Sequence, residues 1–248
     1  MAEDELADAI LEHWSGSTLP LGHGKAVDAG TAFFYNELVE SGPDVERVRE
    51  WLLTADAQTR TKMAEVRLRP DLIEPTGAAS DYLVVNGFES MWSRRSGAAV
   101  ARSSFLHDHG RRKGWSWATV TPLTEGVAAR AEHVRAVGSE PRPAYALGHV
   151  TREPAATGEE RPLAIATSAV ARDPDGVVRW RGALPAGFAG GPVFVADRRG
   201  ELEFVLRCLG MISSTARNPD IVTFDTIRSL IEETVRPQPP KHGLFRRR

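Results

Sequence analysis

Apolar and polar residues alternate over short stretches through most of the middle of the chain, and this pattern predicts β-strands. The stretches are rich in Val, Phe, Trp and Tyr and are bounded by Gly, Pro, Asp or Ser, as in a β-sandwich or β-barrel. The clearest hairpin is predicted over 191–212, where Asp197-Arg-Arg-Gly200 forms the turn. The predicted strands are 29–36, 81–86, 98–105, 116–123, 143–150, 161–170, 177–184, 191–197 and 201–212.

Three other segments show helical spacing of their apolar residues. Residues 43–66 begin with Pro43 and carry apolar residues at helical intervals among charges, which predicts a helical insertion. Residues 222–235 place their apolar side chains on one stripe and predict a C-terminal helix. Residues 1–26 predict a helical extension at the N-terminus, and the Pro-rich segment 236–248, which ends in three arginines, predicts a flexible basic tail.

The composition is that of a water-soluble globular domain and excludes several classes of site. The 248 residues include 42% hydrophobic and 26% charged residues, and 31 Lys and Arg against 33 Asp and Glu leave a net charge of −2. This balance gives no general support for nucleic-acid binding. A lone cysteine, Cys208, excludes an intramolecular disulfide and a cysteine-based zinc site, and its apolar surroundings predict a buried, inert thiol.

The N-terminal residues and the hydropathy pattern bear on localisation. The first twelve residues carry five acids and no base, the reverse of a secretory signal, and no run of 18 apolar residues predicts a membrane span. We therefore expect a cytoplasmic protein without a membrane partner. No motif predicts a cofactor or a metal ion.

Residues 185–195 read Pro-Ala-Gly-Phe-Ala-Gly-Gly-Pro-Val-Phe-Val. This segment resembles the nucleophile loop of the trypsin-like (chymotrypsin-fold) serine peptidases, whose pattern is Gly-x-Ser-Gly-Gly-Pro before an apolar strand. The glycines and the proline match, whereas Ala189 stands in place of the serine. The resemblance implies an all-β fold over 27–235, with two packed antiparallel β-barrels at about 27–135 and 140–220 and a cleft between them.

The other two members of the catalytic triad are also expected to be replaced. The stretch 83–88 resembles the family's Leu-Val-Thr-Asn-x-His segment and has Phe88 at the histidine position. The stretch 117–123 resembles Asp-x-Ala-x-x-x-Leu and has Trp117 at the aspartate position, with Asp108 as an alternative. Acyl transfer needs a hydroxyl nucleophile, an imidazole base and an orienting carboxylate, so the resemblance implies an inactive homologue.

An inactive homologue could still bind a protein or peptide partner of unknown identity. The resemblance assigns the two oxyanion-hole N–H groups to Gly187 and Ala189, and it implies a pocket wall near residues 208–212. Alternatively, the glycines serve only a turn that requires positive φ. The residues predicted to bind peptide are Gly187, Phe188, Ala189, Gly190, Gly191 and Gly210.

Two other functions remain open at this point. In one, a hydrolase uses a displaced catalytic group, with His107 or His109 as the base and Ser168 or Ser213 as the nucleophile. In the other, the basic tail, or the run 94–113 with six Arg or Lys and one Asp, binds nucleic acid. The pattern favours a solvated loop over a metal site at 107–109.

Overall fold

The structure is a computed structural model that describes residues 3–23, 25–42, 46–78, 82–151, 161–199 and 203–236. Two curled antiparallel sheets form the body of the structure. The strands of the first sheet are β1 (Thr18–His23), β2 (Lys25–Ser41), β3 (Glu46–Ala55), β4 (Met63–Arg67), β5 (Tyr82–Asn86), β6 (Ser93–Arg95), β7 (Ala98–Arg102) and β8 (Leu123–Thr124). The strands of the second sheet are β9 (Arg142–His149), β10 (Leu163–Arg172), β11 (Val178–Arg181), β12 (Pro192–Arg199), β13 (Glu203–Ile212) and β14 (Ile221–Thr223).

The first sheet has the order β5-β4-β1-β2-β3-β7-β6, and β8 pairs in parallel with β2. The sheet curls because the 17-residue β2 pairs with β1 through its first half and with β3 through its second half. The concave side encloses an apolar cluster that includes Phe34, Leu52 and Trp115. Strands β5 and β6 do not pair with each other, so this sheet is a half-barrel.

The second sheet has the order β11-β10-β9-β12-β13-β14. An isolated bridge between Arg179 and Asp220 joins its two outer strands, and the sheet is therefore nearly closed into a barrel. Its interior is filled by apolar residues that include Val170, Trp180 and Val193.

A third apolar cluster holds the two sheets together. Phe33 and Tyr35 of the first sheet and Tyr145 and Phe194 of the second contribute to it. Two amphipathic helices cover this cluster, namely α1 (Glu3–Trp14) and α4 (Phe224–Val235). The remaining helices are α2 (Ser104–Lys113) and α3 (Ala131–Arg135), and none of the helices in the described ranges has the length and apolar character that crossing a bilayer requires.

The predicted mostly β fold of two curled antiparallel sheets is confirmed. A C-terminal helix and the hairpin of β12 and β13 form as predicted, but Asp197 and Arg199 of the predicted turn pair within the hairpin as part of β12. The predicted N-terminal helical extension is helical over Glu3–Trp14. The first sheet begins at β1, earlier than the predicted boundary at residue 27. The predicted tail, apart from Arg236, and Gly200 of the predicted turn lie outside the described residues.

The predicted helical insertion at 43–66 is wrong. Where the structure describes this segment, it forms β3, a 3-10 turn at Asp56–Thr59 and part of β4. Strand β3 is central in the sheet, and its residues 51–55 are all buried. A strand buried on both faces shows a continuous apolar run rather than alternation. With a charged first half and an apolar second half, β3 lacks the alternation that identifies a strand, and its apolar residues fitted a helical spacing instead.

Two further elements differ from the prediction. Residues 116–123 do not form the predicted strand. The segment contains only an isolated bridge at Ser116 and the start of the short β8. Residues 104–113, predicted as strand end and loop, form helix α2 instead. This helix ends at Gly114, which has φ +78° and donates its N–H to the carbonyl of Arg111, and three basic residues occupy its last turn.

Candidate functional site

The loop 187–191 connects β11 to β12 and lies buried where the two sheets meet. Gly187 and Gly190 have φ of +99° and +85°, a region that favours glycine. A Cβ at Gly187 would lie 1.9 Å from the carbonyl oxygen of His149, and one at Gly190 would lie 2.2 Å from that of Thr31. The glycines of this motif are therefore required by the close approach of neighbouring backbone.

Phe188 anchors the loop from inside the second sheet. Its ring is fully buried in the interior cluster, and the absence of a side chain at Gly148 makes room for it, since a Cβ there would lie 2.5 Å from the ring. The position between Gly187 and Ala189 therefore holds an apolar anchor rather than a charge.

Hydrogen bonds attach the same loop to the first sheet. Thr31 of β2 donates its N–H to the carbonyl of Ala189 at 2.8 Å and its hydroxyl to the carbonyl of Gly187 at 2.7 Å. The hydroxyl of Thr54 donates to the carbonyl of Thr31 at 2.8 Å. Ala189 thus faces β2 and the end of β3.

His149 lies beside this loop and is 1% exposed. Its Nδ1 donates to the carbonyl of Arg161 at 3.0 Å, which leaves Nε2 as the acceptor for the hydroxyl of Thr18 at 3.1 Å. Burial lowers the pKa of His149 to about 3, because the charged imidazolium would be desolvated. The imidazole is neutral at physiological pH, and its two occupied nitrogens join the two sheets.

Phe88 and Trp117, the residues predicted at the histidine and aspartate positions, are core residues. Both are buried in the interior cluster of the first sheet, where Phe88 packs on Trp92 at 5.4 Å and Trp117 packs on Phe34 at 5.9 Å between ring centroids. These two aromatic residues therefore contribute to the core of the first sheet, whereas Ala189 lies in the loop 187–191, where its carbonyl accepts from Thr31 of β2.

The loop faces a different segment of the first sheet, the end of β3 and the turn 56–59. A Cβ at Gly190 would lie 2.3 Å from Oγ1 of Thr54 and 2.9 Å from the N atom of Ala55. The N–H of Asp56 donates to the carbonyl of Gly97, immediately before β7, at 2.8 Å. The carboxylate of Asp56 pairs with Arg60 at 2.6 Å and lies 3.6 Å from Arg94.

A cleft of about 440 Å³ opens between the turn at Ser96–Gly97 and the second sheet. We call it the inter-sheet cleft. The Arg172 guanidinium at its wall donates to the carbonyls of Val134, Val137 and Gly176. The other lining residues are Val177, Val178, Ser213, Asp220, Ile221, Val222, Thr223 and Thr226. The lining that the structure describes holds hydroxyls and backbone groups but no histidine, cysteine or lysine.

Two residues predicted near the pocket wall lie inside the molecule. A Cβ at Gly210 would lie 1.9 Å from the carbonyl oxygen of Val222, so β14 covers that face of β13. Cys208 is fully buried in the cluster between the sheets, and burial raises the pKa of its thiol to about 12. Gly210 therefore faces its neighbouring strand and not a cleft.

The candidate groups of a displaced catalytic site are separate in the structure. His107 pairs with Glu50 at 2.6 Å, whereas His109 packs on Trp115 at 5.8 Å. The hydroxyl of Ser168 donates to the carbonyl of Arg181, and Ser213 lines the inter-sheet cleft. The predicted pairs of base and nucleophile are not in contact.

The molecule was compared with known sequences and solved structures. No family model matches the chain, and no curated protein sequence matches it. The crystal structure of Deg5 superimposes with a TM-score of 0.50 at 15% identity and covers 92% of this chain and 94% of its own. The fold is that of the trypsin-like serine proteases.

A second solved structure of this fold is a thermostable serine protease AL20 from an extremophilic microorganism. It has a TM-score of 0.41 at 12% identity and covers 89% of this chain and 97% of its own.

One sequence signal was missed at the junction of loop and β3. Residues 52–57 read Leu-Leu-Thr-Ala-Asp-Ala and match the family's Leu-Val-Thr-Asn-x-His segment only at Leu52 and Thr54, but unlike 83–88 they end beside Gly190 of the loop. This alignment places Ala57 at the histidine position, directly after a strand. The helical interpretation of 43–66 concealed the match.

Proposed function

We propose that this chain is a catalytically inactive homologue of the trypsin-like serine proteases that binds a protein or peptide through its inter-sheet cleft. The observation that carries the proposal is the set of residues where the loop 187–191 meets the end of β3. Ala189 stands at the nucleophile position of the motif, and Ala57 stands at the histidine position when the segment beside the loop is aligned with the family's segment. Neither methyl group can attack a carbonyl or accept a proton.

The aspartate position is also without a carboxylate in this proposal. In the family an aspartate opens a strand, and β7 follows Gly97, whose carbonyl is bonded to the turn after β3. We therefore revise the expected replacements from Phe88 and Trp117 to Ala57 and Gly97. Loss of a single triad member already leaves only the ~10³–10⁴-fold acceleration that binding and the oxyanion hole provide.

The loop 187–191 lies outside the lining of the inter-sheet cleft and would offer a bound peptide a second contact through donors without an acceptor. The N–H groups of Gly187 and Ala189 have no acceptor among the described residues. The buried hydroxyl of Thr151 also has no partner there, and it lies 3.3 Å from the position that a Cβ of Gly187 would occupy. The neighbouring donors of Gly187 and Thr151 favour an oxygen acceptor such as a peptide carbonyl.

The catalytic part of the proposal is tested with a fluorophosphonate probe and labelled casein, with trypsin assayed in parallel. We expect neither covalent labelling nor cleavage by the folded protein. Labelling that disappears on unfolding would contradict the proposal, because it would reveal an activated serine elsewhere in the chain.

The binding part is tested with a library of fluorescein-labelled decapeptides measured by fluorescence polarisation. Thr226→Trp should weaken binding of the selected peptides at least about tenfold, because the indole fills the inter-sheet cleft. Thr234→Trp is the matched control, since Thr234 lies exposed on the same helix, away from the cleft. Failure of every peptide to bind, or equal effects of the two variants, would contradict the proposal.

A further inference from the structure

A second cleft, of about 260 Å³, lies on the first sheet beside α2, and we call it the α2 cleft. Its walls come from the middle of β3, the end of β7 and the first two turns of α2. The lining residues are Glu50, Arg102, Ser103, Ser104, His107, Asp108 and Arg111. None of these residues belongs to the loop 187–191 or to the inter-sheet cleft.

Glu50 fixes the orientation of the imidazole in this cleft. Its Oε1 accepts from Nε2 of His107 at 2.6 Å and from the hydroxyl of Ser103 at 2.5 Å. Because Nε2 carries the proton of this bond, Nδ1 is the nitrogen that remains for another partner, and it has none among the described residues. The hydrogen bond to Glu50 raises the pKa of His107 above its ordinary value, against the opposing effect of partial burial.

Two guanidinium groups complete the positive part of the lining. Arg102 lies with its guanidinium 5.0 Å from the centroid of the Trp51 ring, and it makes no ion pair with a carboxylate in the part of the chain that the structure describes. Arg111 pairs only with the exposed Asp108, at 3.3 Å. Such an exposed pair holds its partners weakly and is open to a stronger anion.

The charges of the lining depend on His107. Arg102 and Arg111 balance Glu50 and Asp108, so the lining is neutral when the imidazole is neutral and carries one positive charge when it is protonated. With the proton, Nδ1–H joins two planar guanidiniums and the hydroxyl of Ser104 as donors around one small space. A tetrahedral oxyanion offers enough acceptor oxygens for all of these donors, whereas a carboxylate offers only two oxygens.

We propose that the α2 cleft binds the phosphate group of a phosphate monoester through Arg102, Arg111 and protonated His107. Binding is then linked to a proton, because the anion stabilises the charged imidazole. The charged groups that face His107 are Glu50 from β3, Arg102 from β7, and Asp108 and Arg111 from its own helix. Affinity therefore falls as the pH rises through the pKa of His107.

The proposal is tested on the full chain by calorimetry with inorganic phosphate and phenyl phosphate at constant ionic strength. Arg102→Ala and Arg111→Ala should each weaken binding about tenfold, as expected for charge-assisted hydrogen bonds. Arg112→Ala is the matched control, because Arg112 is next in the same helix, lies outside the lining and bonds the carbonyl of Asp108. We expect a change of less than about twofold for this variant.

Sulfate stays a dianion between about pH 5.5 and pH 8. A pH dependence of sulfate binding in this range therefore reports the protonation of the protein and not of the ligand. Binding of sulfate should weaken with rising pH in the natural protein, and this dependence should be absent in His107→Gln. Imidazole resonances followed by NMR should show a higher pKa of His107 in saturating sulfate. An unchanged pKa would overturn the proposal.

A phosphoserine peptide and its unphosphorylated form then show whether the phosphate belongs to a protein or to a small molecule. Either source supports the proposed chemistry. Equal effects of phosphate and chloride at matched ionic strength, or equal losses in Arg111→Ala and Arg112→Ala, would indicate general screening of a basic surface and would overturn it.

Discussion

The loop junction and the α2 cleft each contain a histidine, and the two imidazoles have opposite surroundings. His149 is 1% exposed and uses both ring nitrogens to join backbone and hydroxyl groups of the two sheets. The side chain of His107 is 40% exposed and uses one nitrogen on Glu50. Burial lowers the pKa of His149, whereas the carboxylate raises the pKa of His107.

The contrast extends to the regions around them. The junction has tight packing and closely fitted glycines, and its buried histidine is neutral at physiological pH. The α2 cleft has titratable groups, cations and hydroxyls but little packing around them. In this molecule the segment that resembles a catalytic motif and the cluster of reactive side chains are therefore different places.

The largest expected effect concerns the packing of the junction. Gly190→Ala should destabilise the protein by more than about 3 kcal/mol, because the methyl group would collide with the backbone of β2 as well as adopt a strained φ. Gly176→Ala has the same strain, with φ +82° but no atom within 4 Å, and should cost only about 1 kcal/mol. Denaturant unfolding measures both values, and equal losses would show that the junction is not tightly packed.

The next effect is a pH dependence of stability that originates at His149. Its pKa is about 3 when folded and about 6.5 when unfolded, so the unfolded chain takes up the proton first and stability falls as the pH drops below about 6.5. The free energy of unfolding should lose about 2 kcal/mol between about pH 6.5 and pH 5 from this group. His149→Gln should be less stable overall but should lack this part of the slope, since every other group titrates equally in both proteins.

A smaller effect is expected at the α2 cleft. Glu50→Gln should lower the pKa of His107 toward its ordinary value, because the hydrogen bond to the carboxylate is its main cause. The free energy of unfolding should change by less than about 1 kcal/mol, since the pair is partly exposed. NMR titration of the imidazole measures the pKa.

Asp108→Asn is the control for that experiment. Asp108 raises the pKa of His107 only through space and less than Glu50 does. If both variants moved the pKa equally, the direct bond to Glu50 would not be the main cause.

The smallest expected effect is that the thiol of Cys208 does not react in the folded protein. Cys208 is buried between the sheets and its thiol has a pKa of about 12, so iodoacetamide should not alkylate it in the folded protein at about pH 8. Alkylation should become complete in denaturant. Modification of the native protein at the rate of the unfolded chain would show that the core between the sheets opens readily.

Local sequence signals were sufficient where the chain pairs with its near neighbours. The hairpin of β12 and β13 follows from alternation and a turn, and α4 follows from its single apolar stripe. The loop 187–191 was also identified from its residues, because its glycines are required by the close approach of the His149 and Thr31 backbone.

The same signals failed where a strand is buried on both faces, because its residues then do not alternate between apolar and polar. Strand β3 has an apolar second half, which suits a helix or a central strand equally well, and only its pairing with β2 and β7 decides between them. That error also drew attention away from the segment that ends beside the loop 187–191. The cluster of Glu50 and His107 joins residues 57 positions apart, and no local pattern connects them.

The sequence by itself determined the class of fold and the loss of a hydroxyl at position 189, because strand patterns and residue identity are local properties. Only the tertiary structure decided which residues surround that loop and which histidine is neutral. A pKa depends on desolvation and on partners that are brought near by distant parts of the chain. The same imidazole side chain is therefore an internal link at position 149 and a titratable surface group at position 107.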